Sequence, residues 1–231
     1  MTDVRKLLAR LNPKQSQYEI GSGGVPELTP QDIAAGLGMV RDVLGREILC
    51  HVWWPDGAKL TRQQLLDSMR DLQLGEWMGR MRRLAAANLA HHIACEEADG
   101  THGRARGQIT RARAEVEDAK AAMWPRVGPQ SRYLEIREGV LAEMLDPHLC
   151  QTCGGNGEVR ADAVVRVCGR CLGSGHDKAT DTGRAERVGC TRKSYLESWS
   201  LPYEWLLGEC AHAERRAASQ LAHALGEMNE H

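Results

Sequence analysis

The sequence predicts a mainly α-helical fold, a helical body followed by a small cysteine-rich hairpin and then a helix-turn-helix. Leucine and alanine, which have high helix propensity, dominate the apolar residues, and phenylalanine is absent. Apolar residues recur at spacings of three and four over most of the chain, as on one face of a helix. Only residues 158–167 have the short, roughly alternating pattern of a strand hairpin.

The helical elements are predicted in order from these patterns. Residues 1–28 should contain a short helix over Val4–Leu11 within a flexible segment. A helix capped by Thr29 should run to residue 54, followed by helices at about 61–72 and 77–97, a loop at 100–107 and a helix at 109–124. Residues 131–145 form the helix that leads to the cysteines. The domains are thus residues 1–28, a body at 29–149 with an insertion at 100–130, a knuckle at 150–176, and a helix-turn-helix with a terminal helix at 177–231. We expect Leu201-Pro202 to interrupt the chain before that terminal helix at 203–228.

The bulk composition restricts the possible partners. The formal net charge is −1, so no overall positive field attracts nucleic acid and any such contact needs a local basic face. The longest apolar candidate, residues 40–54, is broken by charged residues and cannot span a bilayer. The first residues lack the core of a signal peptide. We therefore expect a soluble protein of the cytoplasm, where cysteine pairs serve metal or redox chemistry.

Two cysteine brackets carry the strongest chemical signal. Each reads C-x-x-C-x-G-x-G, and fourteen residues separate the pairs Cys150/Cys153 and Cys168/Cys171. The two-residue spacing lets both thiolates of a turn reach one ion, and two such turns complete a tetrahedral site. The sequence therefore predicts one structural Zn²⁺ with four protein ligands and no open position for catalysis, in a protein that is not an enzyme. A redox dithiol remains an alternative.

Other histidines and cysteines have simpler interpretations. His148 and His176 flank the quartet and are alternative ligands in place of a thiolate. The remaining four cysteines fall on predicted helices or in a turn and are predicted to be packing residues: Cys50, Cys95, Cys190 and Cys210.

The segment after the cysteines fits a helix-turn-helix. Ala185 is small enough for close approach of two helices, Val188 and Cys190 should face inward, Gly189 suits the turn, and Tyr195 should pack the second helix back. Thr191 is a good cap for that helix. An ordinary helical hairpin with an exposed basic turn is the alternative.

The same segment supplies candidate DNA contacts. The first turn of the second helix would meet base edges in the major groove, and nearby basic residues would contact phosphates. Between residues 158 and 193 there are eight basic against five acidic residues, a modest positive excess. The candidate base-reading residues are Thr191, Arg192, Lys193 and Ser194, and the candidate phosphate contacts are Arg184, Arg187, Lys178 and Arg170.

The order of these motifs resembles the lambda-type phage antitermination protein Q family. The likeness spans about residues 28–225 and is most specific in the cysteine brackets and in Tyr203-Glu-Trp-Leu-Leu-Gly-Glu-Cys210. The resemblance implies binding to double-stranded DNA within a phage late promoter and to host RNA polymerase with its sigma factor, in the bacterial cytoplasm. It also implies that polymerase then ignores terminators. The chain departs from the family pattern in a shorter insert between the cysteine pairs and in residues 100–130, so no residue is assigned to polymerase contact.

Two further hypotheses share some of these features. A zinc-containing regulator of transcription initiation would use the same DNA surface. An Hsp40-like cysteine-rich chaperone module would use the same C-x-x-C-x-G-x-G repeats, but its relatives carry more copies and a His-Pro-Asp tripeptide, which this sequence lacks.

Overall fold

The computed structural model describes residues 4–11, 29–98, 104–127, 131–145, 152–153, 158–161, 164–171 and 179–228. As the sequence predicted, the fold is mainly helical. The helices are α1 (Val4–Leu11), α2 (Pro30–Met39), α3 (Val43–Trp53), α4 (Arg62–Ala98), α5 (Arg104–Ala121), α6 (Tyr133–Leu145), α7 (Asp181–Val188), α8 (Arg192–Ser194) and α9 (Ser200–Met228). A 3₁₀ turn, Pro55–Gly57, follows α3, and two strands, β1 (Glu158–Ala161) and β2 (Val164–Val167), precede α7.

The predicted helix over Val4–Leu11 is confirmed, and it packs into the core rather than standing in a flexible segment. Val4, Leu7 and Leu8 share one helical face and are buried against α2, α3 and α9. Arg5 adds a bidentate ion pair to Glu214 of α9, with both nitrogen–oxygen distances at 2.8 Å. The amphipathic pattern of this short helix is therefore used for docking. The rest of the prediction for residues 1–28 concerns residues outside the described ranges.

A single predicted helix from residue 29 to 54 is in fact two. The predicted cap is confirmed, since Thr29 and Asp32 form a reciprocal capping box at the start of α2. The helix stops at Met39 because Asp42 begins a new one, its carboxylate accepting from the Gly45 amide at 2.8 Å. Gln220 of α9 secures the break by accepting hydrogen bonds from the amides of residues 41 and 42.

Helix α4 is continuous where two helices were predicted. Two glycines, Gly75 and Gly79, lie in its interior and cost about 1 kcal/mol each relative to alanine. Packing along its length offsets that cost: the first half packs on α6 and α9, and the second half forms an antiparallel hairpin with α5. Helix α5 starts at Arg104, earlier than predicted, and buries Ala112 and Val116 in this contact. The region predicted as an insertion thus contributes a helix.

Two of the buried clusters formed by the described residues are made by the helices, and they meet along α3 and α9. The larger one joins α3, α4, α6, α7 and α9, and its aromatic side chains pack edge to face, as Tyr133 does on Trp199 at 5.6 Å between ring centroids. Helices α3 and α9 approach closely at Gly45, where a side-chain carbon would overlap the carbonyl oxygen of Ala213. This close approach fixes α9 against the body.

The predicted hairpin is present in the described part of the cysteine-rich segment. Strands β1 and β2 pair antiparallel with Glu158 opposite Val167 and Ala161 opposite Val164. The chain then passes directly from β2 to Cys168. The hairpin therefore sets the position of the second cysteine bracket.

Leu201-Pro202 does not interrupt the helical path, which corrects that prediction. A π-helical turn, Tyr195–Trp199, joins α8 to α9, and the Ser200 amide bonds to the carbonyl of Tyr195 five residues earlier. Pro202 has no amide hydrogen and would clash with the carbonyl four residues before it in a regular α-helix. The wider turn accommodates the proline, so residues 192–228 follow one continuous helical path.

Candidate functional site: a cysteine cluster beside a helix-turn-helix

Three of the four predicted ligand cysteines lie together. Cys153, Cys168 and Cys171 are buried, and their sulfur atoms all lie within 4.8 Å of one another. Cys168 directly follows β2, and the turn at residues 169–171 returns Cys171 to the cluster. The fourth predicted ligand, Cys150, and the alternatives His148 and His176 lie outside the described residues.

The geometry of the cluster suits a metal ion. The sulfurs of Cys153 and Cys171 are 3.6 Å apart, whereas a disulfide bond would hold them at about 2.05 Å. Four thiolates at the usual zinc–sulfur distance of about 2.3 Å on a tetrahedron lie about 3.8 Å from each other. The Cys153–Cys171 distance matches this value, and all three buried sulfurs lie within 4.8 Å of one another, close enough for one ion to contact each of them. The cluster can therefore hold a metal ion.

The helix-turn-helix has the local geometry that the sequence predicts. Helix α7 ends at Gly189, whose φ of 71° is left-handed and favours glycine. Thr191 caps α8, its hydroxyl accepting from the Ser194 amide at 3.2 Å. Ala185, Val188 and Tyr195 are buried between the two helices and the body. Cys190 is only partly buried, and that burial raises the pKa of its thiol despite the nearby Arg132.

The first turn of α8 is exposed. The side chains of Arg192 and Lys193 retain 61% and 84% of their accessible surface, and their nearest acidic partners, Asp181 and Glu197, are both 3.9 Å away. Exposed pairs at that distance contribute little and break easily. Both cations are thus available to an external anionic partner.

Arg184, predicted to contact phosphate, is instead part of a partly buried ion pair inside the protein. Its guanidinium forms a bidentate pair with Glu143 of α6, at 3.0 and 2.7 Å, and lies over the ring of Tyr203. Burial alone would lower its pKa, but the hydrogen bonds and charge of Glu143 outweigh this and raise it. A guanidinium already neutralised and only 13% exposed is a poor phosphate ligand. We therefore assign Arg184 to the anchoring of α7 and correct the prediction.

The other predicted phosphate contacts occupy different positions. Arg187 is half-buried beside Glu143, at 3.7 Å, and so also belongs to the contact between α6 and α7. Arg170 is exposed in the turn between Cys168 and Cys171. Lys178 lies outside the described residues.

One residue near the turn was missed by the sequence reasoning. Arg132, just before α6, donates to the carbonyl of Val188 at 3.3 Å. It lines an open surface cleft together with Glu186, Gly189, Cys190, Thr191 and Ser194. Nothing in the local sequence marks it, because the contact joins residues 56 positions apart. Arg132 thus adds a third cation beside the first turn of α8.

Two other cysteines behave as packing residues, as predicted. Cys50 and Cys210 are fully buried in the core. Burial raises the pKa of Cys50 to about 11 and that of Cys210 to about 12. Both thiols therefore stay protonated and unreactive near neutral pH. Cys95 is partly buried and its sulfur lies 3.8 Å from Nε2 of His91 on the same helix.

Comparison with known proteins adds no identification. No protein-family model matches the chain, and no curated protein is significantly similar to it. Among the helices described, none is both long enough and apolar enough to cross a membrane.

Proposed function

We propose that the protein is a zinc-containing, sequence-specific DNA-binding factor that acts in transcription as a phage late-gene antiterminator. The observation that carries the proposal is the exposed turn from Thr191 to Ser194, capped and set after the left-handed Gly189. In a helix-turn-helix, this turn faces base edges in the major groove.

The distribution of charge supports the DNA-binding part. Arg192 and Lys193 extend from the reading turn, and Arg132 lies beside it. Arginine pairs well with guanine and lysine with guanine or phosphate. Because the net charge of the chain is −1, binding would depend on this local group and on base contacts.

The cysteine cluster would give the segment before α7 its fixed shape. In this proposal the ion is zinc, held by Cys153, Cys168 and Cys171 with Cys150 as the fourth ligand. Zinc bound by thiolates contributes folding energy, so it would order a hairpin too short to fold alone. The exposed Arg170 then stands on a fixed turn from which it could reach a phosphate.

The antitermination part comes from the resemblance of the motif order to protein Q of lambda-type phages. Under this proposal the protein binds an element within a late promoter, engages host RNA polymerase with its sigma factor in the bacterial cytoplasm, and makes the enzyme resistant to pausing and termination. Regulation of initiation is the second function that the same surface could serve.

The DNA-binding proposal can be tested by selecting bound duplexes from a random pool at near-physiological salt. We expect an enriched motif with wild-type protein, and loss of that preference in Arg192→Ala/Lys193→Ala with zinc content unchanged. Arg82→Ala/Arg83→Ala, on the exposed part of α4, removes the same charge elsewhere and should keep the motif. Equal loss in both variants would indicate charge-driven binding and would reject the assignment of α8.

The antitermination step needs a separate assay. A template with the selected element near a promoter and a terminator downstream is transcribed by purified bacterial polymerase holoenzyme. Added protein should increase read-through at an unchanged number of initiated transcripts. A change in initiation alone would instead identify a regulator of initiation.

A further inference from the structure

A half-open cavity of about 230 Å³ lies between α4 and α6. Helix α4 contributes Arg70, Gln73 and Leu74 to its wall, and α6 with the segment before it contributes the rest. These remaining lining residues are Val127, Ser131, Tyr133, Leu134 and Arg137. The described wall thus combines two guanidinium groups with an apolar patch, and none of these lining residues carries a carboxylate.

The charge of Arg137 is balanced by fewer hydrogen-bond acceptors than is usual for a half-buried arginine. Its Nη1 donates to Oε1 of Gln73 at 2.9 Å, and its buried Nε has no hydrogen-bond acceptor. Among the described residues, no carboxylate lies within ion-pair distance of Arg137. The Arg137 guanidinium is therefore paired with the neutral amide oxygen of Gln73, although a buried charge normally requires a counter-ion.

Gln73 is also incompletely satisfied. It is 2% exposed, and its Nε2 has no partner. The amide orientation is fixed, because rotating it by half a turn would point its NH₂ group at the guanidinium, donor against donor. The cavity wall therefore holds two buried donors without acceptors, one on each of two adjacent side chains.

The pKa of Arg137 also reflects the missing counter-ion. Burial lowers the pKa of Arg137, and the positive charge of Arg70 lowers it further. Arg70 has acidic neighbours on its own helix, Asp67 at 3.4 Å and Asp71 at 3.6 Å. Asp67, Glu135 and Glu138 act on Arg137 only from a distance. One positive charge in the cavity thus remains without a direct counter-ion.

We propose that this cavity binds a small organic carboxylate. The carboxylate would pair with the guanidinium of Arg137, with Arg70 at the mouth, and would supply the negative charge that the described lining residues lack. The apolar part of the ligand would lie against Leu74, Val127 and Leu134. A cavity of about 230 Å³ is smaller than the ~300–1,000 Å³ of drug-sized sites, so the ligand has the size of a substituted benzoate or a short branched fatty acid. An amino acid is disfavoured because its ammonium group would face two guanidiniums.

The test is a titration of the full-length, isotopically labelled protein with benzoate, followed by amide resonances in a buffer free of other carboxylates. Benzamide and benzylamine, of nearly the same shape, are neutral and cationic controls. We expect saturable shifts at residues of the wall with benzoate, and none with either control. Absence of shifts at about 10 mM benzoate, or equal shifts with benzamide, would overturn the proposal.

Three variants locate the binding. Arg137→Met keeps the apolar stem and should weaken benzoate binding by about tenfold or more. Arg70→Met removes a half-exposed charge, so this variant should fold as wild type does. It should weaken benzoate binding by about threefold. Arg82→Met on the same helix should have no effect. Unchanged affinity in the first two variants would place the ligand elsewhere and reject the site. No DNA is present, so this outcome is independent of the proposed function.

Discussion

The contact between α6 and the first helix of the helix-turn-helix depends on one carboxylate, Glu143. Its side chain is 16% exposed and accepts two hydrogen bonds from Arg184 and one from the Tyr203 hydroxyl at 2.8 Å. Arg184 lies on α7 and Tyr203 on α9. Glu143 of the body thus contacts both α7 and α9, the helices on either side of α8.

Replacing Glu143 by glutamine keeps the shape and removes the charge. An amide offers one acceptor oxygen where the carboxylate offers two, so the fork of Arg184 loses half of its bidentate contact. Arg184 would also lose its buried counter-ion, leaving Glu204, which is 3.8 Å away and 59% exposed. Hydrogen bonds to charged groups contribute about 1.5–3 kcal/mol each, and loss of one partner of a buried pair costs about 3–5 kcal/mol. Because the pair is partly solvated, we expect a loss of about 2–3 kcal/mol in the free energy of unfolding.

Urea denaturation followed by helical circular dichroism measures this loss. Glu197→Gln is the matched control, since Glu197 is 62% exposed and 3.9 Å from Lys193, and it should change stability by less than about 0.5 kcal/mol. The double variant Glu143→Gln/Arg184→Met should be less destabilised than the sum of its two single variants, because their contacts are shared. If Glu143→Gln matched the control, or if the two changes were additive, the pair would not anchor α7.

Three further predictions concern the metal cluster, a close helix contact and a buried carboxylate. Cys168→Ser should lose bound zinc, measured by metal analysis, while Cys95→Ser retains it; equal zinc in both would reject the cluster. Gly45→Ala should lose at least about 3 kcal/mol in urea denaturation because its new methyl overlaps a backbone carbonyl of α9, whereas Gly208→Ala, which meets no atom within 4 Å, should gain up to about 1 kcal/mol. Burial raises the pKa of Glu47, but the amides of Leu60 and Lys59 and the side chain of Arg46 outweigh it and lower the pKa overall. Glu47 therefore stabilises the fold above its unfolded pKa and loses this effect as pH falls through the lower folded pKa, so Glu47→Gln should be less stable than wild type at pH 7 and the gap should close in acid.

Local signals predicted the ends of helices well. The cap at Thr29, the turn at Gly189 and the cap at Thr191 each depend on residues within four positions of one another, and all three are confirmed. The cysteine brackets are also a local signal, because the two ligands of each C-x-x-C pair lie within a single turn. Three of their four sulfurs lie together as predicted.

The wrong predictions concern features that are determined by residues far apart in the sequence. The break between α2 and α3 is held by Gln220, about 180 positions away. Helix α4 stays continuous through two glycines because its two halves pack on α6 and α9 and on α5. Arg184 looked like a phosphate contact because its partner, Glu143, is 41 positions away. A charge pattern in sequence cannot distinguish an exposed cation from one that is neutralised by a residue brought in by the fold.

The same long-range contacts explain how binding at the reading turn could act on the rest of the molecule. Residues 192–228 follow one helical path of about 55 Å, and its far end packs on α1, α2 and α3. Tyr195 at the near end packs edge to face on Tyr203, which Glu143 holds. Packed side chains therefore connect the first turn of α8 to the body, so under the proposed function DNA held by Arg192 and Lys193 would orient the α4–α5 hairpin as well. Under the proposed function, Glu143→Gln should therefore reduce read-through more than DNA binding, because α8 keeps its DNA-contacting side chains while α7 and α9 lose a shared anchor on the body.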